Sequence, residues 1–254
     1  APVHLILTFG PAGSTATFSG MMQAKFAALL GQDVVLDYVG GGSGGSNGVR
    51  AAKAAAPDGY SIVMGTVGNI SLLPSTYTAY GVDPLRDLVP ITNIADTPDV
   101  LVVQTSMPAN TFTEFVALAK KQPGSVTYAT MSATSIHNVE VNAIMRGAGI
   151  ELKAVPVSGG AGGQTGPIAE GKVNLLITTA PYVLREIRAG RVKALAIAHD
   201  QRSPAFPGVP TMNELRIPSL PIGSWMGLFA PAGTPRPIVE KLFAAARGAA
   251  GDPA

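Results

Sequence analysis

Short apolar runs alternate along this chain with amphipathic segments of helical length, and that alternation limits the available folds more than any other feature. Residues 3–9, 34–39, 61–66, 100–104, 126–130, 152–157, 173–178 and 192–198 read as buried strands. Between them, residues 15–30 place Phe18, Met21, Met22, Phe26, Leu29 and Leu30 on one helical face. Residues 49–56, 111–121, 135–148, 181–189 and 237–246 also read as helices. Strand–helix–strand order of this kind predicts an α/β protein with mostly parallel sheets and helices on both faces.

Proline breaks the rhythm twice. Pro74, Pro84, Pro90 and Pro98 interrupt the first stretch, and five prolines fall between Ser203 and Pro221. The two breaks bracket a middle block, which predicts an inserted second domain. Residues 1–98 with 224–254 are expected to form one lobe, and residues 99–223 the other. The 254 residues suffice for one large domain or two small ones, and no repeat of fixed period is present.

The totals exclude several chemistries. Cysteine is absent, which removes disulfides, thiolate metal sites and a Cys nucleophile. His4, His137 and His199 show no metal-ligand spacing, so no metal is expected. A net charge of +2 without basic runs argues against nucleic acid. No apolar run approaches the ~18 residues of a membrane span, so no direct membrane insertion is expected.

Residues 39–55 contain two enzyme-like patterns at once. Gly40, Gly42 and Gly45 read G-x-G-x-x-G, yet the acid at the right distance, Asp58, precedes the next strand instead of ending it. Gly41, Ser43 and Gly45 read G-x-S-x-G, the elbow of a serine hydrolase, but the downstream histidines have no local signature. A small α/β serine hydrolase stays an alternative. The plainer reading is a glycine loop that lets a helix start close to its neighbours. No G-x-x-x-x-G-K-[ST] occurs, and no cofactor is expected.

Three other loops share a physical type: GPAGSTAT at 10–17, ATMSATSIHN at 129–138 and PVSGGAGGQTG at 156–166. Each sets small residues and hydroxyls between a strand end and a helix start. Unpaired N–H groups and the helix dipole there favour a carboxylate or phosphate. Ser14, Thr15, Thr134 and Ser135 could equally serve as helix caps. Capping or packing is also the plainer role for His137; Trp225 reads as core or hinge packing, and Phe9 as core or cleft wall.

These residues resemble the Bug family, the periplasmic substrate-binding proteins of tripartite tricarboxylate transporters. LILTFGPAGST looks like that family's first strand and P-G-G-S-T loop. The glycine cluster followed by AAPDGYSIVMG is similar to a second hallmark, and the likeness continues through LVVQTSMPANTFTEF, VPVSGGAGGQTG and SWMGLFAPAGTPRPIVEKL. The resemblance implies a type II-like fold of two lobes with a ligand cleft between them, hinge closure and no catalysis. It implies a small organic acid, a di- or tricarboxylate or an aromatic acid, delivered to one large and one small integral membrane subunit. A monomer in the periplasm is expected, any signal peptide having been removed. A sensory module presenting its ligand to a kinase is the other use of such a fold. The family extends beyond the last helix, so an incomplete chain or a trimmed first lobe is expected.

By the same resemblance, one carboxylate is held by Gly13, Ser14 and Thr15 and by Thr130, Ser132, Thr134 and Ser135, with Thr66 facing the same cleft. Ser158, Gly159 and Thr178 complete the expected ligand contacts. The chain departs from the family pattern at Ala12 and Ala16, and Val157–Ser158–Gly159 stands where Y-K-G is usual. Thr178 and Thr179 replace an acid common in relatives, which disfavours amino acids as ligands.

Overall fold

The computed structural model describes residues 1–11, 14–131, 135–157, 164–217 and 223–251. The chain divides into two compact units: Ala1–Asp96 with Trp225–Ala254, and Thr97–Ser224.

The first unit contains β1 (Val3–Leu7), α1 (Ser14–Leu30), β2 (Val34–Tyr38), α2 (Ser46–Ala54), β3 (Ser61–Thr66), the short helices α3 (Leu73–Thr76) and α4 (Pro84–Asp87), and β4 (Leu88–Thr97). The second contains β5 (Asp99–Gln104), α5 (Phe112–Lys121), β6 (Thr127–Thr130), α6 (Ile136–Ala148), β7 (Lys153–Pro156), α7 (Thr165–Ala169), β8 (Leu175–Thr179), α8 (Ala180–Arg188) and β9 (Val192–Ala198). The chain then returns to the first unit through β10 (Ser224–Pro231) and α9 (Arg236–Ala250).

Each unit is built on one five-stranded sheet, ordered β2-β1-β3-β10-β4 in the first and β7-β6-β8-β5-β9 in the second. The sheets are mixed, not mostly parallel. β1 runs parallel to β2 and β3, and β10 runs antiparallel to β3. β6 runs parallel to β7 and β8, whereas β5 pairs antiparallel with both β8 and β9. The parallel part of each sheet comes from strand–helix–strand crossovers, which periodicity reveals. The antiparallel part comes from strands that cross between units, and no local pattern announces their direction.

The inner strands are buried on both faces, as continuous apolar runs require. In the first unit Leu5, Leu7, Ile62 and Met64 face α1 and α9, packing with Phe26, Leu30, Leu242 and Ala246. Ile6 and Val63 point the other way, toward Val49 and Ala52 of α2 and toward Tyr80. In the second unit Leu101, Val103, Leu175 and Ile177 meet Val141 and Ile144 of α6, while Val100, Val102 and Leu176 meet Ile168 and Val183.

Two local expectations change. The buried stripe of α1 is Thr15, Ser19, Met22, Phe26 and Leu30, while Met21 and Leu29 are exposed. This helix is apolar around much of its circumference, so composition alone does not choose a face. β4 carries the exposed Pro90 inside a ten-residue strand. It lies at the edge of its sheet, where a missing N–H costs no ladder bond.

Candidate functional site: buried hydroxyls at the strand ends

Both sheets share one topological feature. β1 lies between β2 and β3, and β6 lies between β7 and β8, so the connections leaving each central pair diverge. The helices after β1 and β2 also pack on opposite faces, α1 with Leu5 and α2 with Ile6. Divergence of this kind opens a crevice at the C-terminal ends of the strands, where open α/β sheets bind ligands.

In the first unit the strand ends are laced together by hydrogen bonds. Thr8, just past β1, accepts from Asn69 Nδ2 at 3.0 Å and donates to the Met64 carbonyl at 3.4 Å. Thr66 caps the turn after β3: its backbone N–H donates to Asn69 Oδ1 at 2.8 Å, and Asn69 N donates back to Thr66 Oγ1. Ser14 opens α1, and Thr15 follows it into complete burial. Among the described residues the Thr15 hydroxyl has no hydrogen-bond partner, and neither has that of Ser46 at the start of α2.

The glycine loop 40–45 explains how α2 reaches this crevice. At Gly45, with φ of 81°, an added Cβ would sit 2.5 Å from the Thr8 carbonyl oxygen. At Gly48 it would sit 3.0 Å from Thr8 Cα and from the Val39 carbonyl. These glycines are a packing device. Ser43, the elbow residue of the hydrolase reading, begins a single 3₁₀ turn. Among the histidines, His4 Nδ1 pairs with Asp37 Oδ2 at 2.8 Å and His137 Nε2 with Asp99 Oδ1 at 3.3 Å.

The second unit repeats the chemistry. Thr130 ends β6, and Ser135 caps α6, accepting from Asn138 N at 3.3 Å. Thr178 and Thr179 end β8 and are both buried, and among the described residues the hydroxyl of each lacks a partner. Thr179 holds the cap position of α8 yet forms no capping bond. Phe9 is exposed beside its loop, and Trp225 stacks obliquely on Phe229 at 6.2 Å. Gly13, Ser132, Thr134, Ser158 and Gly159 lie outside the described residues.

Of the residues expected from sequence, Thr66 and Ser135 therefore cap, while Thr15 and Thr178 present buried, unpaired hydroxyls. Four residues escaped sequence reasoning, Ser46 among them. Gln164 is fully buried, and among the described residues both its amide atoms lack a partner. Asp99 and Glu140 form a buried cluster with His137. Such groups carry no sequence signature, since their significance lies in which neighbours the fold brings to them in space. A surface recess of about 470 Å³, lined by Lys53, Tyr77 and Asp87 among others, contains none of the unpaired hydroxyls.

Two mixed five-stranded sheets, each flanked by helices and each with hydroxyl-rich strand ends, define the two-lobed fold of the periplasmic binding proteins. The chain matches the family description "Tripartite tricarboxylate transporter family receptor" over residues 20–254 and belongs to that family. It is 32% identical to Protein BugT of Bordetella pertussis over 246 residues, which is 95% of this chain and 74% of the relative. A solved structure named "R. palustris Rpa4515 with adipate" superposes with a TM-score of 0.86 at 28% identity, covering 96% of this chain and 81% of that one. MatC (Rpa3494) from Rhodopseudomonas palustris with bound malate gives 0.84 at 29% identity, over 98% and 84%. Among the described residues, no helix is long and apolar enough to cross a membrane.

Proposed function

We propose that this chain captures a small carboxylate-bearing metabolite in the periplasm and delivers it to the large and small membrane subunits of a tripartite tricarboxylate transporter. The observation that carries this reading is the set of buried hydroxyls without partners at Thr15, Ser46, Thr178 and Thr179. Buried polar atoms are almost always hydrogen-bonded, and an unpaired hydroxyl costs about 1–3 kcal/mol. Four of them at strand ends and helix starts make sense if an acceptor arrives from solution. A carboxylate is such an acceptor, and the helix N-termini favour its charge. Relatives solved with adipate and malate support the same ligand class.

The unpaired hydroxyls of Thr15, Ser46, Thr178 and Thr179 are the proposed donors, joined by Ser14, Thr66, Thr130 and Ser135, with Gly13, Ser132, Thr134, Ser158 and Gly159 completing the loops. Hydroxyls and amides hold the anion instead of a salt bridge. Thr178 and Thr179 supply no charge for a ligand ammonium, so dicarboxylates are preferred over amino acids. The chain acts as a monomeric receptor without catalysis.

Calorimetric titration with malate, adipate, citrate and aspartate tests this reading. At least one of the first three is expected to bind more tightly than aspartate. Thr15→Val and Thr178→Val should each weaken that acid about tenfold, the loss of one hydrogen bond to a charged group. Absence of binding across the acids, or unchanged affinity in both variants, overturns it.

A further inference from the structure

We propose that a protonated Glu140 hydrogen-bonds to Asp99 and thereby makes capture of the anionic ligand proton-linked, with affinity falling as Glu140 ionises. This rests on the carboxylate-binding reading above and names a regulator of that site.

Asp99 is the hub of the second unit. It is fully buried at the first position of β5. Its carboxylate accepts the Ser224 hydroxyl at 2.9 Å on Oδ2 and 3.2 Å on Oδ1. It also accepts His137 Nε2 at 3.3 Å. Ser224 in turn receives the Thr97 hydroxyl on its carbonyl at 2.9 Å. Thr97 and Ser224 are the first and last residues of the unit. His137 and Glu140 lie in the opening turns of α6, directly after Ser135 and the Thr130 loop. One carboxylate thus joins the two ends of the unit to the helix start that is proposed to meet the ligand.

Glu140 completes this hub only as an acid. As a carboxylate it would have no donor bonded to either oxygen among the described residues, although it is fully buried. As an acid it donates to Asp99, and the hub then holds one negative charge surrounded by donors. One carboxylate oxygen each of Asp99 and Glu140 and one ring nitrogen of His137 lie within 4.8 Å of one another. Burial, and then the Asp99 charge and hydrogen bond, push the Glu140 carboxyl well above its usual range. Among the described residues neither acid pairs with a lysine or arginine.

The other groups around α6 do not replace that proton. From β5 comes Asp99, and from α6 itself His137, whose Nε2 is engaged by Asp99 and whose buried Nδ1 bonds to neither acid. From β6, Tyr128 donates its hydroxyl to Asn138 Oδ1 at 2.8 Å. β8 offers only Thr178 and Thr179. β9 ends at Ala198, in register with Asp99, and the next two residues, His199 and Asp200, pair at 2.8 Å. Exposed Arg146 and, from α5, Lys120 near Gly149 lie toward the far end of the helix. Ionising Glu140 therefore adds a second negative charge near the helix start, where an incoming carboxylate meets like-charge repulsion. Reciprocity requires that a bound anion favour the protonated form in return.

Two measurements on the full chain test this. Carbon-13 spectra of protein labelled at glutamate carboxyls should show one resonance that titrates well above the other glutamates, and Glu140→Gln should remove it. Affinities for malate and adipate should fall by up to about tenfold per pH unit above the Glu140 titration, while E140Q, which keeps an N–H donor toward Asp99, should be flat there. Ordinary titration of every glutamate overturns the proposal, as does an E140Q profile parallel to the parent. If neither acid binds the parent at any pH, the carboxylate reading fails for these ligands, and the spectra alone decide whether Glu140 holds its proton. Stoichiometric Zn²⁺ binding that E140Q abolishes would also overturn it, because the cluster would then be a cation site.

Discussion

The Thr178 hydroxyl illustrates how a single residue can carry function at the expense of stability. It is fully buried and unpaired. Valine has nearly the same shape without the polar atom. Thr178→Val should therefore stabilise the ligand-free protein by about 1 kcal/mol, a rise of roughly 2–4 °C in Tm, while weakening carboxylate binding. Differential scanning calorimetry without ligand checks the first half; an unchanged or lower Tm would mean that the hydroxyl is satisfied in the free protein. Glu140 makes a second residue-scale prediction. Its folded pKa lies well above the ordinary 4.5, so the folded state holds a proton that the unfolded chain releases. Its contribution to stability is complete below about pH 4.5 and shrinks as pH rises toward the folded titration. Urea unfolding should show E140Q gaining on the parent across that window by up to about 1.4 kcal/mol per pH unit. The hydroxyl-bearing loops were visible in sequence because serine and threonine beside glycine stand out at strand ends. Which hydroxyls cap and which stay unpaired was not, because that depends on neighbours such as Asn69 and Asn138.

At the scale of elements, glycine geometry dictates how closely α2 approaches β1. Gly45→Ala meets both an unfavourable φ and a backbone oxygen at 2.5 Å. A loss of about 2 kcal/mol or more is expected, read as a lower denaturant midpoint at constant slope. Gly124→Ala is the control, since it shares a positive φ but has open space around its Cβ. It should cost less. The parallel strands and their helices were legible because each buries a continuous apolar run or a stripe. β4 was hidden by Pro90, and the segment SWMGLFAP gave no sign that it would insert between β3 and β4. The cluster of Asp99, His137 and Glu140 was equally hidden, since β5 and α6 bring its members together from distant positions.

For the whole molecule, the decisive fact is that each unit owns its cores. Leu101, Phe115, Ile144 and Leu175 belong to one, and Leu5, Phe26, Ile62 and Leu228 to the other. The second unit is also continuous in sequence, from Thr97 to Ser224. A fragment of residues 97–224 is therefore expected to fold alone, with cooperative thermal unfolding and dispersed amide resonances. Loss of cooperativity in that fragment would show that its cores depend on the rest of the chain. The hydrogen bonds joining Thr97, Asp99 and Ser224 hold the incoming and outgoing chain side by side. A segment with adjoining ends behaves like a cassette: it can be lifted out and exchanged for that of a relative without stretching the host. Receptors of this kind could thus acquire new ligand preferences by trading one module whole, and a chimera carrying the middle segment of the malate-bound relative would be the natural first trade.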